Sequence, residues 1–277
     1  MMNQYAPIAP EQFRFQFVRE IGRGGLGRVD EIVIVEPGGS MLVGARYACK
    51  RLNEQFDDHP VYRARFEREI NAVKSMSHPG IVSYEGENLP NGQQRFYLMP
   101  LYKESLRDRL VRYGKSAWRD VAHFGIRLAN ALTYAHGMGM IHRDLKPENI
   151  LFDSAGNAVI ADWGLGYFVH RESRVLMPLT MGGMGTEYYC SLEQWSTGKC
   201  DARGDIYSLG VVLAELVNGT QVPLVQGLGI RQDVVLDDRS PGASGFNSLL
   251  RGMTSMLPQH RPGSMEQVAT TLTSLVR

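Results

Sequence analysis

A chain of 277 residues with 43% hydrophobic and 21% charged side chains has the composition of an ordinary globule, which excludes disordered and fibrous classes. Its 30 Lys plus Arg nearly cancel its 29 Asp plus Glu, so no net field marks it for nucleic acid or an anionic membrane. The length is long for one core and suits one functional unit divided into two lobes.

Three cysteines, Cys49, Cys190 and Cys200, fit neither a disulfide framework nor a zinc site, which points to a reducing compartment. No window of about 18 uncharged apolar residues occurs, because the best stretch, YSLGVVLAELV, is interrupted by Glu215 and flanked by Asp205. The first residues, MMNQYAPIAPEQF, have neither a basic nor an apolar leader region. The expectation is a cytoplasmic chain with no membrane segment of its own, unless it was cut from a longer membrane-anchored parent.

The stretch from Phe15 to Met99 reads as strands. FVREIGRGGLGRVDEIVIVE and LVGARYACKRL carry short β-branched or alternating runs, with EPGGS between them as a hairpin loop. One helix interrupts them: in YRARFEREINAVKSM, Phe66, Ile70, Val73 and Met76 recur at helical spacing until His78-Pro79-Gly80 stops the pattern. From Ser105 onward the text is helical. WRDVAHFGIRLANALTYAHGMG carries an apolar stripe that ends in glycines, and DIYSLGVVLAELVNG is apolar almost all round, as a central buried helix would be. Between Asn218 and Phe246 the Pro and Gly density leaves little room for a helix. FNSLLRGMTSML and SMEQVATTLTSLV close the chain as two more.

Several short stretches carry chemistry. GRGGLG, Gly22 to Gly27, sits between two predicted strands, where glycines let a hairpin backbone approach phosphate oxygens and donate N–H groups to them. A dinucleotide-binding turn is disfavoured, since that requires a helix directly after the third glycine. In YACK, Ala48 and Lys50 share one strand face and Cys49 takes the other. Glu69 lies on the inward stripe of the predicted helix, where a charge needs a partner, and Lys50 is the obvious one; Glu67 is turned away by its helical phase. IHRDLKPENILF packs a His, an Arg, two acids, a Lys and an Asn between apolar residues. ADWG, GTEYYCSLEQ and QHRPGS follow it in order.

This series resembles the eukaryotic-type (Hanks-type) Ser/Thr protein kinase family over about residues 17 to 275, with bacterial Ser/Thr kinases the nearest in flavour. The resemblance implies an α+β, two-lobed kinase-like fold: an N-lobe over 15–99 with an antiparallel sheet and one main helix, a hinge at 100–104, and a mainly helical C-lobe over 105–277. Residues 1–14 would be an extension and 162–193 the activation segment. The site would lie in the cleft between the lobes.

The roles follow from the matched motifs. Gly22, Gly24, Gly25 and Gly27 would cover the phosphates, and Lys50, held by Glu69, would grip the α- and β-phosphates. Val29, Ala48 and Leu151 would enclose the adenine, with Met99 as gatekeeper and the Pro100 carbonyl and Tyr102 N–H as hinge contacts. Pro100 serves there because only an acceptor is needed. Asp144 would position the substrate hydroxyl and take its proton, Lys146 would meet the transferred phosphate, and Asn149 and Asp162 would hold Mg²⁺, or Mn²⁺ in its place. His142 belongs to the core, Arg143 to a phosphate on the activation segment. Thr186 would pair with Asp144 and Lys146, Glu193 with Arg261, and Asp205 would accept backbone N–H groups from the His-Arg-Asp turn.

Lys146 two residues after Asp144 selects Ser/Thr over Tyr acceptors, and with Thr186 it favours protein over small-molecule substrates. Thr180 and then Ser173 are the expected phosphosites, where a phosphate adds about −1.5 to −2 charge. Self-association would let one copy phosphorylate another. Two departures stand out: Trp163 replaces a Phe in the slot between His142 and Val73, where its indole N–H needs a partner, and Leu192 replaces a Pro. A binding-only relative would lack one of Lys50, Asp144, Asn149 or Asp162, and all four are present. Glu104 is open to two readings, a ribose ligand or a receptor for a basic substrate residue.

Overall fold

The structure, a computed structural model, describes residues 13–24, 27–36, 38, 41–87, 95–165, 167–168, 188–221, 224–225, 230–231 and 240–277. They divide into two compact units, one drawn from Met1–Ser75 and Val82–Tyr102, the other from Met76–Ile81 and Lys103–Arg277. The class is α+β, as the resemblance implied, with an antiparallel sheet in the first unit and mostly helices in the second.

In the first unit β1 (Arg14–Arg23), β2 (Gly27–Glu36) and β3 (Arg46–Leu52) form a meander. A 3-10 turn then leads to α1 (Pro60–Ser75), which has Pro at its first position, where a missing N–H costs nothing. β4 (Gly86–Glu87) and β5 (Phe96–Pro100) complete a five-stranded sheet in the order β1-β2-β3-β5-β4. The register sets Val29 opposite Lys50, Lys50 opposite Tyr97 and Ala48 opposite Met99, so these five share one face. Their strand neighbours Ile32, Ile34, Cys49 and Leu98 point the other way into a core covered by Phe13, Phe15, Met41 and Phe96. The insertion between β2 and β3 therefore has a structural use: its Met41 roofs the outer sheet face.

In the second unit β6 (Glu104–Ser105) opens α2 (Leu106–Tyr113), whose Ser105 and Asp108 form a reciprocal cap. α3 (Trp118–Gly137) buries a stripe from Trp118 to Ala135 and leads into β7 (Met140–Ile141). β8 (Ile150–Phe152) pairs with β6 on one side and with β9 (Ala158–Ile160) on the other, and β10 (Tyr167–Phe168) pairs with β7. α4 (Leu192–Thr197) is short, and α5 (Ala202–Asn218) is buried from Gly204 to Val217. Asp201 caps α5, placing Asp205 inside the first turn instead of at its start, and Gly219 ends it at φ 80°. β11 (Leu224–Val225) and β12 (Ile230–Arg231) form a small hairpin in the Pro/Gly-rich stretch. α6 (Ala243–Met253) and α7 (Met265–Val276) close the unit.

The helices approach closely at glycines. A Cβ on Gly210 of α5 would come within 2.8 Å of the Met253 Cβ on α6, so that crossing tolerates no side chain. Among the described residues no helix is long and apolar enough to cross a membrane.

Arg261 ties these helices together. Its side chain is wholly buried and forms a fork with both Glu193 oxygens at 2.7 and 2.9 Å, as the sequence pairing expected. It also donates to the carbonyls of Arg203, Ser255 and Met256. Arg203, in contrast, pairs with Asp201 at the surface. Arg261→Met is expected to lower the unfolding free energy by about 3 kcal/mol, because the Glu193 carboxylate and three carbonyls lose their partner. Arg203→Met should cost under about 1 kcal/mol. Urea unfolding midpoints compare them, and equal losses would refute this account.

Candidate active site

In the first unit the residues singled out in the sequence lie on one sheet face. Gly24 N–H closes the glycine hairpin on the Gly27 carbonyl at 2.8 Å, and Asn53 Nδ2 holds the Gly24 carbonyl at 3.2 Å. Gly27 is forced, since a Cβ there would sit 2.7 Å from the Arg51 carbonyl oxygen. Gly22 faces open space, and Gly25 lies outside the described residues. Lys50 Nζ meets Glu69 Oε1 at 2.5 Å, and the Tyr97 hydroxyl donates to the same oxygen at 2.8 Å. A carboxylate on the apolar side of α1 is thereby satisfied by the strand face below it. Glu67 turns aside to Arg95, as its helical phase required. Ala48 and Met99 are buried; Val29, Pro100 and Tyr102 are half-buried.

The second unit carries the polar turn. Asp205, with no solvent exposure, accepts the N–H of Arg143 on Oδ1 at 2.9 Å and that of His142 on Oδ2 at 2.8 Å. His136 Nε2 reaches the same Oδ2 at 2.7 Å. Burial pushes the Asp205 carboxyl up, but the His136 and backbone bonds outweigh it and hold it below its ordinary value. His142 Nε2 faces the Ala161 carbonyl, which can only accept, so Nε2 carries the proton and Nδ1 takes the Asp144 N–H. Arg143 sits at φ 69° and Asp162 at φ 62°, the two non-glycine residues with positive φ among those described. Such geometry costs on the order of 1–3 kcal/mol each and persists only where partners over-determine it.

Asp144 is held by Lys146 Nζ at 2.9 and 3.2 Å. Asn149 Nδ2 donates to the Asp144 backbone carbonyl at 2.8 Å and to its Oδ2 at 3.1 Å. Burial raises the Asp144 carboxyl above its ordinary range; Lys146 pulls it down, and the Asp162 charge adds to the rise. Because Asn149 spends its N–H₂ group on Asp144, its Oδ1 is the end able to ligate a cation. Among the described residues no group of three or more His, Cys, Asp or Glu could hold a metal alone. Asn149 and Asp162 instead offer two hard oxygens, which fits Mg²⁺ when phosphates and water complete its shell.

Trp163 is 1% exposed, stands edge-on to the His142 ring at 4.6 Å, and donates its indole N–H to the Ile160 carbonyl at 3.2 Å. The bulkier ring is thus accommodated with its polar atom paired. Leu151 lies half-buried in β8. Thr186, Thr180 and Ser173 lie outside the described residues.

Two features escaped the sequence. Glu104 gives one oxygen to Arg109 at 2.9 Å and the other to Arg112 at 2.7 Å, so its carboxylate is engaged within its own unit. Arg107 reaches Glu148 at 2.8 Å, Glu215 at 2.6 Å and the Tyr189 hydroxyl at 2.6 Å. The one legible signal was Glu215 itself, an acid in an otherwise apolar helix.

A model of the protein kinase domain matches residues 15–272. The chain is 35% identical over 213 residues to the Ser/Thr-protein kinase PknA of Mycobacterium tuberculosis, covering 74% of this chain and 47% of that protein. It is 32% identical over 227 residues to a probable Ser/Thr-protein kinase PknB of Bifidobacterium longum, covering 79% and 32%. With PrkC of Bacillus subtilis it shares 30% over 208 residues, covering 74% and 30%. The chain thus spans about a third to a half of the length of the curated relatives it matches. Every motif from Gly22 to Arg261 falls inside the matched range, and the chain belongs to the protein kinase family.

Proposed function

We propose that this chain transfers the γ-phosphoryl group of Mg·ATP to Ser or Thr hydroxyls of protein substrates. The observation that carries the reading is Asp144, largely buried, gripped by Lys146 and Asn149 and lying within the electrostatic reach of Asp162. Such a group suits a base that must meet a hydroxyl away from bulk water. Lys146, and the Ser/Thr kinases among the relatives, support the acceptor class.

In this mechanism Lys50, braced by Glu69, orients the α- and β-phosphates, while the glycine hairpin presents backbone N–H groups to them. Bound Mg²⁺ supplies charge neutralisation on the phosphates, and Asn149 and Asp162 are its protein ligands. Asp144 aligns the acceptor hydroxyl and takes its proton as the new O–P bond forms and the bond to the bridging oxygen of ADP breaks. Lys146 balances the charge on the moving phosphoryl group. Most of the acceleration comes from positioning and fixed charge. Val29, Ala48, Met99, Pro100, Tyr102 and Leu151 hold the adenine, and Thr186 completes the acceptor side. Self-association would permit transfer between copies to Thr180 or Ser173. A reducing, cytoplasmic setting suits three cysteines that are all thiols.

Asp144→Asn and Lys50→Met are each expected to lower phosphoryl transfer by about 100-fold or more with the fold retained; thermal unfolding stays near wild type in Asp144→Asn and comes earlier in Lys50→Met, which leaves the buried Glu69 carboxylate without its cation. Intact and peptide mass spectrometry after incubation with Mg·ATP reads the result. Undiminished transfer in either variant sinks the assignment.

The pH profile tests Asp144 separately. Its raised pKa keeps it protonated at pH values where an ordinary Asp, near about 3.9, is already ionised. Only the ionised form accepts the proton, so kcat/KM should fall on the acid side with a midpoint above that ordinary value. Mg²⁺ held by Asp162 would cancel that carboxylate's share of the rise, so the limb is read in kcat/KM for Mg·ATP, which reports the free enzyme, and an acid limb unchanged in Asp144→Asn would remove Asp144 as the base.

A further inference from the structure

The Arg143–Asp144 peptide plane is gripped from both edges. On one edge the Asp144 N–H donates to His142 Nδ1 at 3.2 Å; on the other the Arg143 carbonyl accepts from Gln194 Nε2 at 2.7 Å. A peptide unit is rigid, so holding its O and its N–H fixes the direction in which the chain enters Asp144. Arg143 is also the residue at φ 69°, and its own N–H is taken by Asp205. Gln194 is thus the partner, supplied from α4, that closes the restraint.

The orientation of the Gln194 amide follows from its neighbours. The Arg143 carbonyl can only accept, which assigns Nε2 to it and turns Oε1 toward Cys200, whose Sγ lies 3.1 Å away. Sγ must then be the donor. Burial pushes the Cys200 thiol up to about 12, which keeps that proton in place at neutral pH. Room for the thiol comes from Gly204, where a Cβ would meet Sγ at 2.8 Å. The backbone of α4 is anchored next door through Glu193 and Arg261.

We infer that Gln194 is a positioning residue for phosphoryl transfer, acting on Asp144 through the Arg143–Asp144 peptide plane, with the Cys200 thiol as the donor that sets its amide. This rests on the reading of Asp144 as the base. It gives α4 a direct hold on the catalytic turn that does not pass through substrate.

The test uses the whole chain in four variants: Gln194→Met, which keeps length and loses the amide, Gln194→Met with Cys200→Ala, and Cys200→Ser and Cys200→Ala alone. Q194M should lower kcat about tenfold with KM for ATP changed less than about twofold, the loss of one fixed hydrogen bond. C200S, which still donates, should stay near wild type, C200A should fall between, and the double variant should be no worse than Q194M. Loss below about twofold in Q194M, or C200S as impaired as C200A, overturns the inference. Amide exchange over Ile141–Asn149 gives a readout independent of activity: Q194M should exchange faster there, with α3 unchanged, and unchanged exchange overturns it. Wild-type chain without transfer would refute the proposed function and the positioning role with it, whereas wild-type transfer with an unimpaired Q194M overturns this inference alone. Were Q194M to unfold, the contrast between C200S and C200A carries the decision.

Discussion

One buried carboxylate organises the second unit. Asp205 is removed from water entirely, and a lone carboxylate in that position would cost several kcal/mol unless its lone pairs were used. They are used on the N–H groups of His142 and Arg143 and on His136. The turn that carries Asp144 is therefore bonded to α5, buried from Gly204 to Val217, and its strained φ at Arg143 is maintained by partners that could not move without exposing that charge. The first turn of α5 adds a favourable end of the helix dipole beneath the carboxylate.

The same economy of buried charge recurs. Glu69 enters the apolar side of α1 only because Lys50 and Tyr97 meet it, and Glu193 is fixed by an arginine with no solvent exposure. In each case an acid and its partner come from elements far apart in sequence, so neither is satisfied until the tertiary fold forms. These pairs add specificity of arrangement more than net stability, because desolvation offsets much of their attraction. The loss of either partner is costly for the same reason.

The two departures from the family pattern have different standing. Trp163 fits: its ring packs on His142 and its N–H finds the Ile160 carbonyl, so the larger side chain extends the core without an orphaned donor. Leu192 opens α4 with more than a third of its surface exposed, and α4 keeps its place through the residues that follow it, Glu193 on Arg261. A proline at that position is therefore not what anchors the helix here.

Much of this is legible in the sequence. The period-2 and period-3.6 patterns placed the main strands and helices, because burial of one face imposes its repeat on the sequence. The phase of α1 alone chose Glu69 over Glu67, and the resemblance carried by HRDLKPEN singled out Asp144, Lys146 and Asn149 as one group. Other features depend on contacts that no local pattern encodes. Arg107 meets Tyr189 and Glu215 across 82 and 108 residues, and Glu104 satisfies two arginines of its own unit where the sequence left a ligand role open. Asp201 is the cap of α5, which leaves Asp205 in the first turn to accept the His142 and Arg143 N–H groups, the role the resemblance implied for it. The sequence by itself determined which residues are charged, at what spacing, and on which helical or strand face. Only the tertiary structure decided which of those charges meet, since a buried charge takes whichever partner the packing of distant elements brings within hydrogen-bond reach.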